Sequence, residues 1–152
     1  MDFFMPFSFY RTAIYVLIAL PCAAADWRSG SVMRFPMIAL VCILLASPPS
    51  IPYPPVAFTV SFFGSCGGML SFFIVRKITG NGLGLADIWM AGAVGALGGY
   101  LFFVATVLFA ILLTLPLMVS KKNIGEKIPF LPALFAGSLL KLFSSFFSAA
   151  NQ

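Results

Sequence analysis

The stretch "DIWMAGAVGALGGYLFFVATVLFAILLTLPLMV", Asp87 to Val119, has one carboxylate at its head and no other charge. As a straight helix it would be roughly 50 Å long at ~1.5 Å rise per residue, against about 30 Å for the hydrocarbon core of a bilayer. It is too apolar for water and too long for one crossing. The Gly98-Gly99 pair in its middle supplies a break, because glycine weakens a helix interior and permits backbone that other residues avoid. Two helices are therefore expected, a short one from Asp87 to the glycine pair and another from Leu101 to Val119.

The whole chain repeats that character. Of its 152 residues, 61% are hydrophobic and 9% charged, with a mean hydropathy of +1.07. A soluble domain carries about a quarter charged residues, and a globule this small cannot bury so much apolar surface. The bilayer is the expected solvent. The net charge of +5 does not point to nucleic acid, because the basic residues stand in short clusters between apolar runs. Cys22, Cys42 and Cys66 are scattered singly and there is no His, so no metal-site spacing exists and no metal or cofactor is expected. The three cysteines read as small buried hydrophobes.

Working outward, the remaining apolar runs are Phe9 to Ala25, Phe35 to about Ala46, Val56 to Val75, and Ile128 to about Ala149. "SPPSIPYPP" cannot be helix interior and reads as an extended connector. The total is about six transmembrane helices, an all-α polytopic fold in one membrane-embedded domain over residues 1–152. The two short helices are expected to lie against neighbours, since a short helix facing lipid would have to thin the bilayer. Arg11, the run after it and "PCAAAD" resemble a cleavable signal, but Arg28 and Arg34 follow at once and favour a retained span.

Charge sets the sides. Arg28 and Arg34 follow the first span, Arg76 and Lys77 the third, and Lys121, Lys122 and Lys127 the fifth. The connectors after the second and fourth spans have no charge. The N-terminus is then outside and the basic loops are cytoplasmic. Arg11 and Lys141, the exceptions, are read as snorkelling to headgroups.

Four acids exist. Asp2 at the terminus and Glu126 among lysines are solvated readings. Asp26 ends the first span and Asp87 begins the fourth, which puts both at the cytoplasmic rim, where an unpaired carboxylate is costly. Asp26 alone reads as an ion-pair partner of Arg28, and Asp87 as a helix cap. If their helices pack together, two carboxyls in one low-dielectric site cannot both ionise comfortably and share a proton. That is the state an aspartyl protease uses, with neither acid assigned a fixed role. An ion path through a small transporter would use the same acids, but no further intramembrane acid or His continues a relay. Gly64 with Gly68, and Gly95 with Gly99, suit close helix packing, here read as drawing the first and fourth spans together.

Three segments carry a resemblance. "GLADIWMAGAVGALGG" resembles the second aspartate motif of the type IV prepilin peptidases, membrane aspartyl proteases of the GxGD type. Its motif positions fall on Gly84, Asp87, Gly95 and Gly99. "DWRSGSVMR" is similar to the first aspartate motif. In "EKIPFLPALFAG", Ile128, Pro129, Phe130, Pro132, Leu134 and Gly137 match the C-terminal pattern. Ala86 replaces the second glycine of GxGD, Trp89 stands where a lysine is usual, and Val32-Met33-Arg34 replaces Ile-Pro-Asn.

The resemblance is to the short form, without the cysteine-containing N-terminal region linked to methyl transfer. It implies a multi-pass peptidase of the cytoplasmic membrane with Asp26 and Asp87 as catalytic pair, supported by Gly84, Ala86, Gly95, Gly99, Pro129, Phe130 and Pro132. Its implied partners are the bilayer and the leader and apolar helix of a prepilin or pseudopilin, cut on the cytoplasmic side. The alternative is a catalytically silent member acting in pilus or secretion assembly.

Overall fold

The computed structural model describes residues 9–29, 34–46, 56–79, 83–120 and 130–150. The expectations for Asp2, Glu126, Val32, Met33, Ile128, Pro129, the proline-rich connector and the three loop lysines lie outside them. Five helices follow in order: α1 (Phe9–Ser29), α2 (Arg34–Ala46), α3 (Val56–Ile78), α4 (Leu85–Ser120) and α5 (Phe130–Ala150). Every described element is a helix, as the apolar runs predict. α1 continues past the expected Ala25, so that Asp26 lies within its last turn.

α4 is broken where the glycine pair falls. Gly99 has φ 80° and ψ −179°, a backbone region that is essentially glycine's alone. Before the break α4 runs antiparallel to α3, with Ala91 against Gly68, Gly95 against Gly64 and Gly99 against Val60. After it the order reverses. Tyr100 lies on Gly67, and Phe103 on Gly68 and Phe72. The chain thus turns back at Gly99, and the described helical segments alternate in direction.

The first segment of α4 is the hub. Every residue from Met90 to Leu97 is buried, and α4 packs against α1, α2, α3 and α5. A helix apolar all round has no face for water and belongs in such a centre. Met37, Leu40 and Leu44 of the short α2 are also fully buried. Glycine makes the closest approach possible: a Cβ on Gly64 would overlap the Gly95 carbonyl and stand 2.6 Å from the Gly99 Cα. On the other side, a Cβ on Gly137 would lie 2.7 Å from the Thr106 carbonyl oxygen. The small-residue faces of α3 and α4 therefore meet each other, and not α1 as the spacing suggested. Four-residue spacing defines a face but does not choose its partner.

The outside of the bundle is apolar too. Among the described residues, Phe58–Ile78 and Leu85–Thr114 are long and apolar enough to cross a membrane. In the 18-residue apolar window of each, only 28% and 39% of the residues are buried within the molecule, whereas the core helix of a soluble protein is mostly buried. Leu17, Phe35, Phe63 and Leu101 point outward. Cys22 is buried, but Cys42 and Cys66 are exposed, which corrects the expectation of three buried thiols. A lipid-facing surface accepts a small apolar side chain as readily as a core does.

Arg11 does not snorkel. Its Nη2 donates to the carbonyls of Leu44 at 2.8 Å and Ala96 at 3.1 Å, and to Ser61 Oγ at 3.5 Å. Both carbonyls belong to last turns, of α2 and of the α4 segment before the break, where the helix has no N–H donor of its own for them and favours a cation. A buried hydroxyl pair, Tyr15 with Ser138 at 2.7 Å, joins α1 to α5 nearby.

Two predictions follow from this packing. Gly64→Leu should cost about 3 kcal/mol through overlap with α4, whereas Cys66→Leu on the outer face of the same helix should stay within about 0.5 kcal/mol. Arg11→Leu should cost about 2 kcal/mol by stripping two helix-end carbonyls of a donor. Thermal unfolding in detergent reads all three.

Candidate active site

Asp26 in the last turn of α1 and Asp87 in the first turn of α4 come within range of each other's charge at one end of the bundle. Asp87 is buried and Asp26 half-buried. The same end holds Arg28, the Arg76-Lys77 pair at the end of α3, and the start of α5. Arg11 and the Gly99 turn are at the other end.

Each carboxyl sits at the start of a helix. The Gly84 N–H donates to Asp87 Oδ2 at 2.9 Å. Asp87 is the third residue of α4, and reaching back to the N–H ahead of the helix is the acid half of a capping box. The positive end of the helix dipole favours it there. Asp26 accepts from the backbone N–H of Leu131, in the first turn of α5. That N–H has no acceptor inside its own helix, and the next residue, Pro132, has no N–H to leave unpaired. So Asp87 caps its own helix and Asp26 caps a different one.

Neither carboxyl is held in an ion pair among the described residues. Arg28, two positions beyond Asp26, is exposed. An Asp26–Arg28 ion pair is therefore not what seats Asp26. The helix-cap reading of Asp87 does hold, and it coexists with the nearby second acid.

The supporting residues divide. Gly84 is exposed, and a Cβ there would lie 3.1 Å from Asp87 Oδ2, so glycine leaves the carboxyl room. Ala86 is helical and half-buried against the core, and at a helical position alanine is the better residue by about 1 kcal/mol. The departure from glycine thus needs no unusual backbone. Trp89 also packs against the core. Gly95 and Gly99 serve the α3 contact, further along α4 and away from the acids. Phe130 rests on Phe72, ring centroids 5.8 Å apart. Pro132 lines an open groove of about 400 Å³ with Ala23, Ala24, Trp27 and Arg28 on the α1–α5 face. Pro129 lies outside the described residues.

Sequence reasoning missed the Leu131 amide, because a backbone donor leaves no side-chain signature; only the proline after it marks a helix start. It also read Arg76 purely as a topology charge. Among the described residues no group of three His, Cys, Asp or Glu could hold a metal ion. No protein-family model, curated protein or solved structure matches the chain.

The cap can be separated from any chemistry by substitution. Asp87→Ala should cost about 1 kcal/mol in thermal unfolding through loss of the cap. Asp87→Asn retains an acceptor for the Gly84 N–H and should lose less than half of that. Equal losses would mean that the Gly84 bond contributes nothing.

Proposed function

We propose that this chain is a membrane aspartyl endopeptidase of the prepilin-peptidase type, with Asp26 and Asp87 as its catalytic pair. One observation carries the reading: two acids far apart in sequence come within range of each other's charge at one end of the bundle, and neither is in an ion pair among the described residues. The charged member takes a proton from a water, which attacks the peptide carbonyl. The protonated member donates to the carbonyl oxygen. The first member then passes the proton it took from water to the amide nitrogen, a diol hydroxyl returns its proton to the other acid, and the C–N bond breaks to release an amine and a carboxylic acid.

The substrate is the N-terminal leader of a type IV pilin-like protein, cut just ahead of its apolar helix at the cytoplasmic face. The chain crosses the cytoplasmic membrane about six times with its N-terminus outside. Support for the crossings comes from the alternating directions of the helical segments and the turn at Gly99. Support for the cytoplasmic side comes from Arg28, Arg76 and Lys77, which share the end that holds both acids. The alternative, a non-cleaving assembly protein of the same architecture, draws support from the cap role of Asp87.

Co-expression with a prepilin tests both readings. The wild type should convert the prepilin to a faster-migrating form, and Asp26→Asn and Asp87→Asn should each abolish conversion, a loss of at least about 100-fold. Processing that survives either substitution removes the pair from the chemistry. A wild type that co-purifies with the prepilin but leaves it uncut establishes the assembly reading.

A further inference from the structure

The end of α3 reaches Asp87 through one peptide group. Arg76 Nη1 donates to the carbonyl oxygen of Leu83 at 2.8 Å, and the Gly84 N–H donates to Asp87 Oδ2 at 2.9 Å. That carbonyl and that N–H are two ends of the same amide. A cation on the oxygen of an amide draws electron density from its nitrogen, which makes the N–H a stronger donor; hydrogen bonds in series polarise one another in this way, more so in a low-dielectric setting. Arg76 is half-buried, in the last turn of α3. Its neighbour Lys77 is exposed, with its ammonium 5.9 Å from the Phe73 ring centroid, and so points elsewhere.

We propose that Arg76 is a positioning residue for Asp87, acting through the Leu83–Gly84 amide. It fixes where that amide points and how strongly it holds Oδ2, and thereby fixes the position of the Asp87 carboxyl. Arg76 belongs to α3 and touches neither acid's side chain directly. The other charged group facing Asp87 is Asp26, from α1. In catalysis this rests on the peptidase reading, but the coupling itself is a property of the fold and is measurable without activity.

Two measurements test it. The first is a double-substitution cycle on melting temperature with Arg76→Gln and Asp87→Ala. Coupling through the amide makes the double variant lose less than the sum of the single losses, since removing either end idles the other. Additive losses overturn the proposal whether or not the protein cleaves anything. The second is prepilin cleavage by Arg76→Gln, Arg76→Lys and Lys77→Gln. Arg76→Gln should lower kcat about five- to tenfold with KM within about twofold, as expected for weakening one charge-assisted bond away from the substrate. Arg76→Lys, which restores a charged donor, should recover part of the loss, and Lys77→Gln should match the wild type. Arg76 acting only as a topology charge gives Arg76→Lys equal to wild type and Arg76→Gln equal to Lys77→Gln, and that outcome overturns the proposal. An inactive wild type would count against the peptidase reading, and the melting cycle would still decide the coupling.

Discussion

The rest of the bundle hangs on the backbone contact between α3 and α4 at Gly64 and Gly95. In a bilayer, a surrounding as apolar as the helices themselves, no solvent force would press them together, and close van der Waals approach would have to do it. Side chains on either glycine would hold the helices apart by at least the width of a methyl group. The turn at Gly99 depends on the same approach, because its backbone lies directly on Val60. With the turn in place, α4 contributes two antiparallel segments, and the start of the first is held where Arg76 can reach Leu83. The position of Asp87 is thus set by a contact about two helical turns along α4.

Asp26 arrives by a separate route. α1 is tied mainly to α5 and α2, through the Tyr15–Ser138 bond, the Tyr15–Phe135 ring contact and the reach of Arg11 to Leu44. α5 in turn packs its Gly137 onto the second segment of α4. The two acids therefore stand on opposite sides of a seam, one carried by the α3–α4 pair and one by α1 with α5. Leu131, at the head of α5, is the group that fixes Asp26 to that seam. Any shift of α5 along α4 changes the separation of the carboxyls without disturbing the glycine contact.

Much of this is legible in the sequence, for identifiable reasons. Helix limits follow from prolines, glycines and charges, which break apolar runs whatever the tertiary fold, and the Gly98-Gly99 break is a local property of glycine. The common end of Asp26 and Asp87 follows from counting reversals of the chain. Partner choice is different. The spacing of Gly95 and Gly99 gives a flat face but says nothing of which helix fills it, and α3 takes it in place of α1. Arg11 misleads because a cation near the end of an apolar run looks the same whether it turns out to headgroups or in to helix-end carbonyls. Cys42 and Cys66 mislead because burial rules learned in water lose force where the outer surface is itself apolar.

The capping bond of Asp87 bears directly on how its neighbour is to be read. A cap needs one acceptor, and an asparagine, serine or threonine supplies it without charge. It gives no reason to bring a second carboxyl from another helix within range, with neither acid in an ion pair among the described residues. Like charges at that range oppose one another, so the arrangement costs free energy that neutral caps at both helix starts would avoid. Nor does the cap use up the group: the Gly84 bond occupies Oδ2, and a carboxylate has a second oxygen and further lone pairs to share. A side chain pinned at one oxygen has less freedom to lose when the other takes or gives a proton, which favours chemistry at a fixed geometry. The bond that supports a structural role for Asp87 is therefore also one that a proton-transferring acid would need.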